Sequence, residues 1–232
     1  MPSNPFGAAL ELILGMDETL IGILLLSLQV SLSAVAIASV LALPLGALIA
    51  LWQFRGRGAV IVALNALMGL PPVVAGLMVY LLLSRAGPLG ELGLLFTPSA
   101  MIIAQVVLIL PIVAALSRQV VEDLWQEYRE QLQSFGVSRL QAVPTLLWDG
   151  RFSLITGVLA GFGRASAEVG AVLIVGGNIE GVTRVMTTAI ALETSKGNLP
   201  LALGLGIILL LLVATVNAVT YVIGVSAQRR LG

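Results

Sequence analysis

Four long stretches of this chain contain no charged residue, and each is long enough to cross a lipid bilayer. They cover residues 20–54, 58–84, 92–117 and 199–228. A fifth stretch, 152–177, is interrupted only by Arg164 and Glu168. A helix needs about 20 apolar residues to span the hydrocarbon, where every backbone polar group must be bonded internally. These five stretches therefore predict an all-α polytopic membrane protein with five transmembrane helices.

The composition agrees with this class and removes others. Hydrophobic residues make up 58% of the 232 and charged residues 10%, which is too apolar a balance for a soluble domain. The chain has no cysteine and no histidine, so disulfides and thiolate or imidazole metal sites are excluded. Its net charge is zero and its basic residues are scattered, so no nucleic-acid partner is predicted. We expect one membrane domain over 1–232, in contact with lipid, with no metal site or cofactor of its own.

The loop arginines predict the orientation of the spans. With the N-terminus outside the cell, eight basic residues lie in cytoplasmic loops or ends and three lie outside, which satisfies the positive-inside rule. The external residues are Arg85, Arg184 and Lys196. The cytoplasmic residues are Arg55, Arg57, Arg118, Arg129, Arg139, Arg151, Arg229 and Arg230.

The polar segment 117–151 then faces the cytoplasm. It holds nine of the 24 charged residues, although long apolar runs flank it on both sides. Glycine readily adopts the left-handed geometry that ends a helix, so Gly136 predicts its end. A membrane bundle that holds an amphipathic helix in water is expected to engage a partner there. Apolar residues recur along it at the spacing of one helical face: Val121, Leu124, Trp125, Tyr128, Leu132 and Phe135.

The stretch 152–177, which is the fourth span in chain order, contains two charged residues and two glycines at helical spacing. The spacing of Arg164 and Glu168 predicts that they share one helical face and can pair. Because an isolated charge inside a bilayer is costly, the two either form only a structural salt bridge, or Arg164 also lends positive potential to an anion path. Gly157 and Gly161 allow close helix approach, either within one chain or at a dimer seam.

Prolines and a polar external segment leave further alternatives open. Pro44, the Pro71-Pro72 pair and Pro111 fall inside apolar runs, where they serve as packing bends or line a pathway. Residues 176–198 are rich in glycine, threonine and asparagine. They either bind an oxyanion through hydroxyl, amide and backbone N–H groups or form an ordinary connecting loop.

Enzymatic activity is poorly supported. Lys196, the one lysine, is followed by Gly197, so no phosphate-binding GxxxxGK[ST] loop exists and the chain is not expected to hydrolyse ATP. Ser166 lacks the second glycine of a nucleophile elbow, and no histidine is present to act as its base.

Two groups of motifs resemble a known family. The segment from Glu130 to Gly136 resembles the Glu-Ala-Ala-x-x-x-Gly coupling motif of ABC importer permeases, with Gln131 and Leu132 in place of the alanines. The Leu-Pro that usually follows is absent, and Trp148-Asp149 stand near that place. The second half is similar to tungstate-type ABC permeases, which are relatives of molybdate permeases. The similar runs are Gly161-Phe162-Gly163-Arg164, Glu168-Val169-Gly170-Ala171, Gly176-Gly177-Asn178-Ile179 and residues 183–197.

This resemblance implies a type I ABC importer-like permease with cytoplasmic coupling helices in a prokaryotic inner membrane. It implies a homodimer, a cytoplasmic ABC ATPase dimer that carries ATP and Mg, and an external solute-binding protein that delivers tungstate or a related oxyanion. The residues expected to dock the ATPase are Tyr128, Glu130, Leu132, Phe135, Gly136 and Arg139. The expected pathway residues are Arg164, Ser166, Glu168, Asn178, Thr187 and Thr188.

Two other functions remain open at this point. The chain is alternatively a permease for molybdate or sulfate, because the solute-binding protein usually sets selectivity. It is also compatible with a membrane scaffold that uses the amphipathic helix only to recruit a partner.

Overall fold

The structure is a computed structural model. It describes Gly7, Leu10, Glu11, Leu14, Gly15 and residues 18–231, with the side chains of 220, 221 and 223–231 outside the description. Within this range the chain is helical and contains no strand, which confirms the all-α prediction. A short 3-10 helix, Gly90–Leu92, lies between the third and fourth helices. The helices are α1 Glu18–Leu51, α2 Arg57–Met68, α3 Pro72–Leu83, α4 Pro98–Ser134, α5 Arg139–Asp149, α6 Arg151–Ser166, α7 Gly170–Gly176, α8 Met186–Ser195 and α9 Leu199–Leu231.

Three helices of the described chain, α1, α4 and α9, are long and apolar enough to cross a membrane. The number rises to five when each of two broken pairs, α2 with α3 and α6 with α7, is counted as one span. The first break follows from the double proline, because Pro72 lacks the N–H that a helix interior needs and so begins α3. Pro44 and Pro111 lie inside the continuous helices α1 and α4.

The second break corrects the expectation for Arg164 and Glu168. Helix α6 ends at Ser166, so the four-residue spacing does not place these two residues on one helical face. Arg164 lies in the last turn of α6, where a cation complements the helix dipole. Glu168 lies beyond that end, and its Oε1 accepts a hydrogen bond from the backbone N–H of Ala171 at 2.9 Å. The carboxylate thereby satisfies one free N–H at the start of α7.

The third predicted span and the amphipathic helix are one continuous helix. The apolar run ends at Ser117, but α4 continues to Ser134 without interruption. The polar segment 117–151 therefore consists of the end of α4, a turn, α5, Gly150 and the first residue of α6.

The described chain divides into two compact units, and both are built from separate pieces of sequence. The first unit comprises Met1–Ser33, Pro72–Gln105 and Ser166–Gly232, and the second comprises Ala34–Pro71 and Val106–Ala165. The single permease domain over 1–232 stays a prediction.

Each unit has its own apolar packing. In the first, α3 meets α7 so closely that a Cβ on Gly76 would lie 2.7 Å from the Cα of Ala171. A second contact of this unit joins α1, α8 and α9 through Leu20, Ile23, Met186, Ala189 and Leu205. In the second unit, one cluster joins α1, α4 and α5 through Ala47, Ala50, Leu51, Val121, Trp125, Ala142 and Leu146.

Candidate functional site

The end of α4 and α5 form a helical hairpin, residues 121–149, that packs on the end of α1. Val121 and Trp125 of α4 contribute buried side chains, and α5 contributes Ala142 and Leu146. Two of the predicted docking residues, Tyr128 and Leu132, are partly buried against this cluster. Their apolar surface therefore holds the hairpin to its own chain, which leaves less of it for a partner.

The turn of the hairpin is built around Gly136. Its φ is +72°, a conformation that an L side chain rarely adopts. The N–H of Gly136 donates to the carbonyl of Gln133 at 3.0 Å, and that of Val137 donates to the carbonyl of Leu132 at 3.1 Å. These two bonds form a Schellman motif, in which a left-handed residue satisfies the last carbonyls of a helix. The predicted stop at Gly136 is confirmed, since α4 ends at Ser134.

Helix α5 begins at once after this turn. Ser138 caps it, since its backbone N–H donates to Oε1 of Gln141 at 3.0 Å and its hydroxyl accepts from the N–H of Gln141 at 3.4 Å. Such a capping box satisfies two donors at a helix start. The motif that ends α4 and the motif that begins α5 lie within three residues, and together they give the hairpin a defined corner.

Apolar side chains of the hairpin remain uncovered. Phe135 is 75% exposed at the corner, and Leu140 and Trp148 on α5 are 61% and 69% exposed. The predicted residue Glu130 is also exposed. Leu140, Pro144 and Trp148 are four residues apart, so they form one exposed face of α5 opposite its buried residues. This face was not predicted from the sequence, although its four-residue spacing is visible there.

Arg139, the first residue of α5, is directed toward α1. Its Nη1 donates to the carbonyl of Leu51 at 3.2 Å. Its guanidinium carbon lies 5.9 Å from the centre of the Trp125 ring, within the range of a cation–π contact. Arg139 was predicted to dock the ATPase, but the contacts described here are made with its own chain.

The predicted pathway residues fall in both units. Arg164 belongs to the second unit, and the other five belong to the first. Within the first unit, the hydroxyl of Thr187 donates to the carbonyl of Glu168 at 2.7 Å. The amide Nδ2 of Asn178 donates to the carbonyl of Thr188 at 3.5 Å. Ser166 and Glu168 are buried, with 8% and 2% of their surface exposed.

Hydrogen bonds within the fold limit what these hydroxyls can bind. The hydroxyl of Thr188 donates to the carbonyl of Val185 at 3.0 Å and accepts from its N–H at 3.2 Å. Only 1% of Thr188 is exposed. Thr187 is partly exposed, so of these two threonines it has the side chain more open to a solute.

The stretch 176–183 is held together by Thr183, which is not among the predicted pathway residues. Thr183 is fully buried, and its hydroxyl donates to the carbonyl of Gly176 at 2.6 Å. The same hydroxyl accepts from the N–H of Ile179 at 2.9 Å. Asn178, between them, adopts a φ of +51°. This stretch is therefore an ordered turn whose backbone conformation is fixed from within.

Two glycines of α6, Gly157 and Gly161, pack within the chain. A Cβ on Gly161 would lie 2.8 Å from Cγ2 of Ile109, and one on Gly157 would lie 3.3 Å from Cβ of Leu116. Both neighbours belong to α4. Close packing inside one subunit, the first of the two alternatives, is confirmed for these positions.

Comparison with known proteins identifies the family. No family model matches the chain. This chain is 41% identical to the tungstate uptake system permease protein TupB of Peptoclostridium acidaminophilum, over 93% of this chain and 95% of the relative. It is 38% identical to TupB of Campylobacter jejuni, over 93% and 90%. A probable anion ABC transporter permease of Haloferax volcanii is 42% identical over 86% and 88%.

Permeases named for sulfate and molybdenum transport match less closely. One from Synechocystis and one from Azotobacter vinelandii are 31% and 29% identical, over 78% and 72% of this chain. The relatives are permease subunits, and the spans found here agree with a multi-pass membrane protein. The chain belongs to the ABC transporter permeases, in the group of tungstate uptake permeases.

Proposed function

We propose that this chain is the membrane-spanning permease of an ATP-driven oxyanion importer, with tungstate as its cargo. Similarity to two tungstate uptake permeases over 93% of the chain carries this proposal. Two copies of the chain assemble with two cytoplasmic ABC ATPases and receive the oxyanion from an external solute-binding protein. ATP and Mg bind to the ATPase subunits, which perform the hydrolysis.

The hairpin 121–149 is the ATPase-docking element in this proposal. Phe135 inserts at the corner, and the exposed face of α5 with Leu140 and Trp148 extends the apolar contact. Aromatic side chains that become buried on association carry much of the energy of an interface. Glu130 sets the register electrostatically, while Tyr128 and Leu132 hold the hairpin in place.

The sequence of events follows from this arrangement. ATP-driven closure of the ATPases draws the two hairpins of the dimer together. Because each hairpin packs on the end of α1 through a buried apolar cluster, it moves as part of its unit. This movement opens the pathway outward, and the N-terminus of each chain lies on the external side.

The pathway itself binds the oxyanion weakly. A conduction route must release its solute, so hydroxyl and amide groups suit it better than a strong cation site. Within the first unit, Thr187, Asn178 and Ser166 supply such groups, while the hydroxyl of Thr188 fixes the backbone of Val185.

Two substitutions test this pathway. Thr187→Ala is expected to lower the uptake rate without lowering the amount of folded protein, because Thr187 is partly exposed. Thr188→Ala is expected to lower the folded amount as well, because it removes the hydroxyl that bonds both polar groups of Val185. Uptake that is unchanged in both variants would remove these threonines from the pathway.

A reconstituted system tests the function as a whole. The permease is co-expressed with its candidate ATPase, placed in liposomes and supplied with the loaded solute-binding protein. We expect ATP hydrolysis to rise with tungstate and to rise less with molybdate or sulfate. A larger response to molybdate or sulfate would support the second candidate function, which is the import of one of those anions. The similarity to permeases named for sulfate and molybdenum transport, although weaker, is the observation behind this second candidate. Failure to bind any ABC ATPase would contradict both candidates.

A further inference from the structure

The end of α1 is closed by arginine side chains from two other helices. A helix leaves its last four carbonyls without partners inside the helix. No residue after α1 has a positive φ before Gly56, so no glycine turn satisfies these groups. The first carbonyl accepts from the N–H of Trp52 at 2.9 Å, and the other three accept from Arg57 and Arg139. The four carbonyls belong to Leu48, Ile49, Ala50 and Leu51.

Arg57 connects the end of α1 to α4. Its Nε donates to the carbonyl of Ile49 at 2.8 Å and its Nη2 to that of Ala50 at 3.1 Å. The same Nη2 lies 2.8 Å from Oε1 of Glu122, which also pairs with Arg118. Arg57 and Glu122 are 18% and 29% exposed, so this pair is partly shielded from water and stronger than a fully exposed one.

Arg139 connects the same helix end to the corner of the hairpin. It is 88 residues from Leu51 in sequence, yet it bonds that carbonyl directly. The Trp125 ring, only 9% exposed, lies against its guanidinium and restricts where the side chain can go. A cation at a helix C-terminus is further favoured by the helix dipole. Arg139 follows the capping residue Ser138, so a shift of the corner moves it as well.

We propose that Arg139 is a positioning residue that passes movement of the hairpin to the end of α1. Helix α1 then shifts with the hairpin during the ATP cycle, while Arg57 keeps its end attached to α4. This inference rests on the proposed function, since it requires an ATPase that moves the hairpin. It differs from an ATPase-docking role for Arg139, because the contacts of the side chain are made inside the permease.

Two single-cysteine probes test the proposal in the assembled transporter. The chain has no native cysteine, so a spin label can be placed at one chosen site. Gln133→Cys reports on the hairpin and Gln53→Cys on the chain just after α1, and both positions are exposed. In the homodimer each label gives one distance between the two copies. That distance is measured without nucleotide and with ATP plus vanadate.

Both distances are expected to change in the otherwise unaltered protein. With Arg139→Met, which keeps an unbranched apolar stem but removes the donors, the Gln133 probe should still respond. The Gln53 probe should lose part of its response, since the buried apolar cluster still connects the hairpin to α1. Arg139→Lys should restore the response, because its ammonium can again donate to the carbonyl of Leu51. Recovery of the purified variant as a folded complex with the ATPase is the control. Arg139→Leu, which also lacks donors, replaces the methionine variant if that variant is not recovered.

The outcomes separate the two levels of the proposal. A full response at position 53 in the variant without donors would overturn the role of Arg139. Loss of the response at both positions in that variant would assign Arg139 to ATPase docking. That result would also overturn its proposed role in passing movement to α1. Absence of any response in the unaltered protein, or no complex with an ATPase, would overturn the proposed function and this inference with it.

Discussion

The conformation of Gly136 makes the corner of the hairpin sensitive to one substitution. Its φ is +72°, and a Cβ there would meet no atom within 4 Å. Replacement by valine therefore creates backbone strain, although its Cβ meets no neighbouring atom. A left-handed conformation costs an L residue roughly 1–2 kcal/mol. Gly136→Val should thus lower the population of the native corner about 5- to 30-fold.

Transport coupled to ATP hydrolysis is the quantity to measure. In liposomes that contain the permease, the ATPase and the solute-binding protein, Gly136→Val should lower coupled tungstate uptake by about the same factor. Membrane insertion should be unaffected, since the corner lies outside the predicted spans.

Two control variants isolate the backbone effect. Asparagine tolerates the left-handed conformation, so Gly136→Asn should retain most of the transport. Gly58 also has open space around it but no positive φ, so Gly58→Val should have little effect. Normal coupled transport by Gly136→Val, or equal loss in all three variants, would refute the reasoning.

Three further substitutions have expected outcomes. Phe135→Ala should weaken ATPase binding about tenfold, measured as a dissociation constant in detergent, because Phe135 is 75% exposed at the proposed interface. Gly76→Ala should destabilise the first unit by about 1–3 kcal/mol, measured by thermal unfolding, because its Cβ would lie 2.7 Å from Cα of Ala171. Glu193→Gln should loosen the connection between α8 and α9 at neutral pH, measured by amide hydrogen exchange. The hydrogen bond from Lys196 lowers the pKa of the Glu193 carboxyl below its ordinary 4.5. Its contribution is therefore complete above pH 4.5 and disappears as the pH falls through the lowered pKa, so the difference between variant and unaltered protein should shrink there.

Matched positions provide the controls for these variants. Val62→Ala removes a side chain that is 68% exposed on α2 and should leave ATPase binding unchanged. Gly22→Ala places a Cβ in open space and should unfold at a temperature no lower than the unaltered protein. Glu180 has a side chain that is 73% exposed, so Glu180→Gln should leave the hydrogen exchange of α8 and α9 unchanged at neutral pH. If a control variant showed the same effect as the variant it is paired with, the structural reason given for that variant would be wrong.

The elements of this fold follow from local features of the sequence, whereas their contacts do not. The apolar runs predicted where helices lie, and Gly136 predicted the end of α4. The break between α6 and α7 was missed because Glu168 was read as a charge inside a span. Its Oε1 instead accepts a hydrogen bond from the N–H of Ala171, in the first turn of α7.

The direction of long side chains was equally beyond prediction from the sequence. Arg139 lies in a polar segment, and the resemblance to ABC importer permeases suggested a role in docking the ATPase. Its contact with Leu51 depends on a pairing of helices 88 residues apart, which no local pattern contains. The hydroxyl of Thr188 likewise looked available for an oxyanion, although it is bonded to the backbone of Val185.

Labelling of the hairpin corner tests the central claim most directly. Ser134→Cys gives the cysteine-free chain one reactive site beside Gly136. A membrane-impermeant maleimide is applied to inside-out and right-side-out vesicles, with and without the ATPase. The account predicts labelling only in inside-out vesicles and protection by the bound ATPase. Labelling from the external side, or labelling that the ATPase does not reduce, would contradict it.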